Sequence, residues 1–447
     1  MRAGAGWAEL FVEERNVQTV RLSGGVVEIG SDRDVGAAVR VVSGDAVGLA
    51  YTNRLTTAEL METAKVASAA ASLMRAATAR PCDLTRSPVK APQVARVPPS
   101  DVSAAAKVQL LRRADEAARS YDPAVRGVTA IHVDVTQRIL VASTGGRLSR
   151  DSRVRTRLTC RVTARRGSRL ENGFDGPGVG GGMELYDDDP PEHIATRAAQ
   201  RAVHALDGHE PPGGDTTVVL GPGGGGLLLH EACGHGLEAD GLTRDSSIYA
   251  RTMGRRIASR LVNAVDDPSQ AAGFGSYGVD DEGRESTPTV LIQAGVQVGV
   301  LSDSATATRL GGLTTANGRR ASYAHPPLPR MSNTYVEPGS DDPAAVLEDV
   351  RSGVYVTRLR GGDVNMVTGD FAFNATEAYL IEDGHLTRPL MGVALIGNGP
   401  AALEAVDAVC SDTAFTQALC GKEDQWIPVS YGAPTMRISR LTVAGQG

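Results

Sequence analysis

The run Gly221-Pro222-Gly223-Gly224-Gly225-Gly226-Leu227-Leu228-Leu229-His230-Glu231-Ala232-Cys233-Gly234-His235 constrains this chain more than any other stretch. Only eight histidines occur in 447 residues, and two of them bracket a glutamate at the end of this apolar segment. Two imidazoles and a carboxylate so close together predict a metal site with its own general base, the chemistry of the H-E-x-x-H pattern. Here the second histidine comes one residue late. On a regular α-helix, positions four apart diverge by about 40° around the axis, and positions five apart by about 140°. His230 and His235 can share a metal only where the helix widens into a π-type turn or ends. Gly234 directly precedes the second histidine, and we expect it to carry the unusual backbone that permits the distortion.

Glu231, next to a ligand, is read as the base that takes a proton from water at the metal, rather than as a structural carboxylate. The residues alone leave the third ligand open. Cys233 lies three positions after His230, on the same face of a regular helix. Glu238, Asp240, His325 and Cys410 are further candidates, and any single cysteine is otherwise a small buried hydrophobe. Glu238 and Asp240 follow His235 closely enough either to orient it as acceptors or to lie on a solvated turn. The loop Gly221–Gly226 lacks the Gly-Lys-Ser/Thr ending of a phosphate-binding P-loop and the acidic partner of a dinucleotide site. Close packing of its backbone against a β-strand substrate fits better. Ser143 and Ser430 have no nucleophile-elbow context.

A second segment, Cys420-Gly-Lys-Glu-Asp-Gln-Trp-Ile-Pro-Val-Ser-Tyr-Gly-Ala-Pro-Thr435, resembles the C-terminal segment of the TldD/PmbA metallopeptidases. The H-E-x-x-x-H spacing of His230 to His235 resembles that family's catalytic, TldD-like members. The N-terminal stretch Ala8–Ala71, including Val41-Val-Ser-Gly-Asp-Ala-Val-Gly-Leu-Ala-Tyr51, is similar to its opening β-rich module, so the resemblance spans nearly the whole chain. It implies that Cys420 is the third metal ligand. Two histidines and a thiolate then leave a position for water, and favour zinc over magnesium or calcium, with iron the remaining alternative. It further implies an extended peptide or peptide-like substrate paired to sheet edges in an enclosed cavity. A dimer is implied too, commonly with a PmbA/TldE-like paralogue that lacks the motif. Asp424-Gln425 stands where the family has Gly-Gln, and Trp426 is bulkier than the pattern; both bear on substrate preference. Two other classes compete: a non-catalytic scaffold with a structural metal, which a fourth ligand such as Cys233 would support, and a modulator that binds a partner protein.

Composition narrows the partners. Net charge is −6, from 46 Lys+Arg against 52 Asp+Glu, and aromatics are only 4%. A nucleic-acid surface has little to build on. No apolar run approaches the roughly 18 residues of a membrane span, and no signal-peptide core precedes Glu9. Five scattered cysteines do not make a disulfide framework. A cytoplasmic enzyme is expected.

The expected architecture is α+β. An N-terminal α+β domain (1–206) and a linker (207–214) precede a larger, mainly antiparallel β domain (215–447) that carries the metal-site helix. In the first half, short strands at Val20–Leu22, Val26–Ile29 and Val39–Val42 give way to an alanine-rich helix. Thr56-Thr-Ala-Glu59 caps that helix, which runs to about Ala79. Helices at Val102–Ser120 and Pro191–Leu206 follow, flanking an alternating segment between Val128 and Val162. Arg153, Arg155, Arg157 and Arg161 share one face of that segment, read as a solvated sheet face, with a channel wall or subunit contact as the functional alternative. In the second half, strands are expected at Thr216–Leu220, Val290–Ile292, Val296–Leu301, Val354–Leu359, Ala372–Ile381, Val393–Ile396 and Met436–Val443. Short helices are expected at Pro343–Val350 and Pro400–Val409.

Overall fold

In the computed structural model the described residues are 6–445, apart from 45, 73–81, 88, 90, 91, 93 and 313. Gly24 and Gly25, both at positive φ, turn the chain back between two long strands, Trp7–Ser23 and Val26–Ser43. Short strands are expected here; the observed ones continue through Glu9, Glu13 and Arg40. Those charges interrupt the apolar pattern but are themselves buried, Arg40 pairing with Glu9 at 3.0 Å. These strands, with Ala46–Thr52, Val125–Ser143 and Arg147–Arg166, form most of an eight-stranded sheet.

Helix Thr57–Ser72 begins as expected, with the Thr56 hydroxyl accepting from the Glu59 N–H at 3.3 Å. Its expected continuation to Ala79 falls on residues outside those described. Helix Ala104–Tyr121, capped by Ser103, and helix Pro191–Leu206 lie on one face of the sheet. Leu111, Ala114, Ile194, Ala198 and Ala202 close a core there with Leu158, Cys160 and Val162.

The opposite face carries the arginine stripe, and most of it is not solvated. Arg153 donates to Asp281 at 2.8 Å, and Arg155 to the Phe274 carbonyl at 2.8 Å; both side chains are buried beneath the loop 274–283. Buried carbonyls need donors, and the arginines supply them across the junction with the second half of the chain. Only Arg161 is exposed as expected.

In the second half, strands Ser352–Val364, Gly214–Leu220, Met436–Gly445, Val393–Asn398 and Asp370–Glu382 are paired in that order. The first also pairs with the last, closing a small barrel around Val218, Leu220, Phe373, Leu395 and Ile438. Beside it, a six-stranded sheet ends in the hairpin Ala414–Lys422 and Gln425–Ala433. The expected helix at Pro400–Val409 is shorter, Gly399–Glu404; Val406–Val409 instead pairs as a strand with Met436–Ile438. Of the expected strand Val296–Leu301, only Val296–Gln297 forms. The chain is thus an α+β protein, as its patterning predicts. Among the described residues, no helix is long and apolar enough to cross a membrane.

Candidate functional site

The glycine run builds the platform for the site. Gly223, at φ 82°, turns the chain out of strand Gly214–Leu220 into the short helix Gly224–Leu229. That helix is wedged against the chain's own strands. A Cβ on Gly226 would lie 2.7 Å from the Gly432 nitrogen, and one on Gly224 3.1 Å from the Val356 carbonyl oxygen. The glycines therefore serve internal packing, and the reading that they approach a substrate strand is corrected. We expect Gly226→Ala to destabilise the fold by about 1–3 kcal/mol through overpacking. It should also weaken metal binding, because the helix stands directly on the strand Gln425–Ala433. A melting curve and a metal titration check both effects.

Directly after this helix the backbone widens. Residues His230–Gly234 form a π-turn in which the His235 N–H donates to the His230 carbonyl, five residues back. A tight turn at His235–Leu237 follows. The distortion expected from the motif's spacing is present, but Gly234 does not carry it: its φ of −55° and ψ of −51° are ordinary helical values. Glycine is needed there for space, since a Cβ would sit 2.2 Å from the Met331 sulfur.

The widened turn aims both imidazoles at one point on the neighbouring hairpin. His230 Nε2 and His235 Nε2 each lie 3.2 Å from Cys420 Sγ, and the two rings meet edge to face with centroids 5.0 Å apart. Among the described residues, His230, His235 and Cys420 form the one cluster of three or more such donors able to hold a metal, with all donor atoms within 4.8 Å. The donor chemistry fits such an ion: two imidazoles and a sulfur that ionises readily. Burial alone would raise the Cys420 thiol, but His230 and then His235 overcome it and bring it down to about 4. The rival ligands lie elsewhere. Cys233 is packed in the barrel-side core beside Tyr249, His325 bonds Ser322, and Cys410 packs with Val346 and Ala408.

Glu238 and Asp240 supply no donor atom to the triad, yet neither lies on a solvated turn. Glu238 is buried and faces His235 Nδ1 at 3.0 Å, which fixes that ring's orientation. Lys422 Nζ donates to both Glu238 and Asp240 at 2.8 Å. Burial would raise the Glu238 carboxyl, but Lys422 and then His235 hold it well below the usual carboxylate range. On His235, burial is outweighed by Glu238 and then Cys420, which hold the ring well above the usual imidazole range. His230 has no such carboxylate: its Nδ1 is buried without a partner among the described residues, and its ring packs 5.6 Å from Tyr431. Arg330, fully buried, pins the hairpin by donating to the Cys420 carbonyl at 2.7 Å.

Lys422, Tyr431 and Arg330 are absent from the sequence-based site. One signal does exist for Lys422. It stands two residues after Cys420, so on a strand the two side chains share a face.

Glu231 is part-exposed, with its carboxylate 3.9 Å from His235 Nε2. It opens onto a cavity of about 490 Å³ that is also lined by Gly362, Asp363 and Lys422. A second cavity, of about 510 Å³, lies on the Tyr431 side, between Arg358–Gly361 and Thr416–Leu419. Both cavities thus run between the same two strands. Ser352–Val364 pairs with Gly214–Leu220 only through Gly353–Val356, and Ala414–Lys422 pairs only with Gln425–Ala433. Each presents a free strand edge among the described residues, and the triad sits at the waist between them.

The hairpin turn accounts for one departure in the motif. Glu423 and Asp424 both adopt positive φ, 47° and 59°. A glycine at Asp424 would be relaxed there, and aspartate is among the few other residues that tolerate it.

Three successive regions match one family's domain profiles: PmbA/TldA metallopeptidase domain 1 (residues 8–71), central domain (97–206) and C-terminal domain (213–445). A metalloprotease TldD homologue of Haemophilus influenzae is 34% identical, covering 98% of this chain and 93% of its own. A metalloprotease of Methanothermobacter thermautotrophicus is 37% identical over 78% of this chain and 76% of its own. The fold is shared with a Thermotoga maritima protein described as a modulator of a DNA gyrase (TM-score 0.82, 19% identity, 98% and 96% coverage). It is also shared with TldE from Thermococcus kodakarensis (TM-score 0.77, 19% identity, 98% and 97% coverage). With all three domains matched in order and relatives above 30% identity along nearly its full length, the chain belongs to the PmbA/TldD metallopeptidase family.

Proposed function

We propose that the chain is a zinc-dependent peptidase in which His230, His235 and Cys420 hold the ion and Glu231 moves the protons. The convergence of the three donors beside a part-exposed Glu231, whose carboxylate lies 3.9 Å from His235 Nε2, carries this reading. A thiolate with two imidazoles suits zinc better than magnesium or calcium, and iron is the alternative to be assayed. When bound, such an ion supplies Lewis acidity toward a carbonyl oxygen and toward water.

The chain's own groups do the rest. Glu231 accepts a proton from the attacking water and returns it to the departing amine. Glu238, anchored by Lys422, keeps the His235 ring in place. Tyr431, its hydroxyl pushed up to about 12 by burial and then by Glu231, keeps its proton and offers a donor on the cleft wall.

The substrate is an extended peptide or peptide-like molecule, laid between the two free strand edges and held through main-chain hydrogen bonds with little side-chain selection. We divide the chain at 207–214 into the two domains expected from sequence, and assign it a dimeric state with a PmbA/TldE-like subunit. The fold shared with TldE supports that pairing, as two paralogues built on one scaffold require. A cytoplasmic setting is consistent with five free cysteines.

The test is to incubate the enzyme, with its paralogous subunit, with one protein in native and in unfolded form. Cleavage is expected of the unfolded form alone, lost with a chelator and restored by zinc. Equal cleavage of a substrate that stays folded would show that the trench does not filter by conformation, and activity indifferent to chelation would remove the metal from the reaction.

A further inference from the structure

The cavity on the Tyr431 side of the triad is lined by five arginines and, among the described residues, by no carboxylate. Arg157 and Arg161 come from strand Arg147–Arg166, Arg201 from helix Pro191–Leu206, and Arg358 and Arg360 from strand Ser352–Val364. Two of the five are neutralised from behind: Arg201 and Arg358 each reach the buried Asp175 at 3.1 Å, and Arg201 also reaches Glu377 at 2.7 Å. Arg157, Arg161 and Arg360 make no ion pair among the described residues. Arg157 Nε is moreover buried without a hydrogen-bond partner. Burial disfavours the charge on Arg157, and no carboxylate among the described residues offsets it. A guanidinium taken from water without a counter-ion is costly, so its natural complement is an anion arriving from the cleft.

We propose that this cavity is a carboxylate-binding subsite, in which Arg157, flanked by Arg161 and Arg360, receives an acidic group of the bound peptide. It rests on the peptidase reading and adds a substrate class: peptides bearing a carboxylate, from an Asp or Glu side chain or from the chain end, on the Tyr431 side of the cut. Leu359 and Leu419 line the same space and hold the aliphatic part of such a residue. Charge-assisted, fork-shaped contacts of this kind are short and strong.

The test uses the full chain with Glu231→Gln, alone or with its paralogous subunit, so that binding is read without turnover. The probes are three fluorescein-labelled octapeptides on one Ala/Thr background. The first carries two glutamates and an amidated end, the second glutamines and an amidated end, and the third glutamines and a free carboxylate. The first or the third should bind at least about tenfold more tightly than the second by anisotropy. Which of the two does so tells side-chain from chain-end recognition. The advantage should shrink with salt, vanish in Arg157→Gln and persist in part in Arg157→Lys. Circular dichroism checks that the variants are folded, and Arg161→Gln and Arg360→Gln should each reduce the advantage independently. Equal binding of all three probes, no binding of any, or a preference untouched by Arg157→Gln overturns the subsite. The peptidase reading is decided separately, by hydrolysis of an unfolded substrate by the parent enzyme.

Discussion

Exchanging Glu231 for glutamine is expected to lower peptide hydrolysis by about 10²–10⁴-fold, the usual contribution of a positioned general base. Metal content and fold should be unchanged. The side chain is 29% exposed, makes no hydrogen bond among the described residues, and stands 3.9 Å from the nearer ligand nitrogen. Glutamine preserves the shape and loses the proton acceptor, and a part-exposed, unbonded carboxylate has little stability to give up. The measurement is single-turnover hydrolysis of an unfolded peptide at equal metal loading, with the melting temperature as control. Wild-type rates from a metal-loaded Glu231→Gln protein would falsify the mechanism.

Loss of any one of His230, His235 or Cys420 should strip most of the metal and with it all activity, since two protein ligands are too few for a tight site. Cys420→Ala is the decisive variant. Its sulfur is 3.2 Å from both histidine nitrogens, and the neighbouring imidazoles draw its thiol down to about 4, so the thiolate is ready for a cation at neutral pH. Cys233→Ala is the matched control: its thiol is buried in apolar packing beside Tyr249, and burial pushes it up to about 12. Metal analysis of both purified variants should give near-zero content for the first and about one ion per chain for the second. The reverse result would move the third ligand from the hairpin to the helix.

How far the sequence discloses this site depends on which physical signal each residue leaves. The widened turn is legible because five-residue spacing is incompatible with a shared metal on a regular helix, whatever surrounds it. The role of Gly234 is not, because its requirement is the nearby Met331 side chain, a neighbour distant in sequence. The hairpin strand Ala414–Lys422 leaves no clear periodic trace, being a mostly half-exposed edge that mixes polar and apolar residues; only the resemblance of the segment singles out Cys420. Strands Trp7–Ser23 and Val26–Ser43 read as short ones because Glu9, Glu13 and Arg40 look like solvated positions, as Arg153 and Arg155 do on their alternating segment. Each is instead buried with a partner across the junction between the two halves: Glu9 with Arg320, Glu13 with the Tyr323 N–H, Arg40 with Glu282, Arg153 with Asp281 and Arg155 with the Phe274 carbonyl. Burial of paired charge defeats a hydropathy pattern, and here it also conceals which arginines of the stripe remain unpaired.

Cys420 lies 190 residues after His230 and belongs to the hairpin that precedes the last strand of the barrel. Chains are made from the N-terminus, and their domains generally fold as they emerge. From His235 until Cys420 is made, then, the two histidines exist without their sulfur, and the barrel stays open for want of Met436–Gly445. A nascent or prematurely ended chain has no complete grip on a metal. On the peptidase reading, a chain that lacks this hairpin and the closing strand Met436–Gly445 is an inactive form, so completing the fold and completing the site are one event.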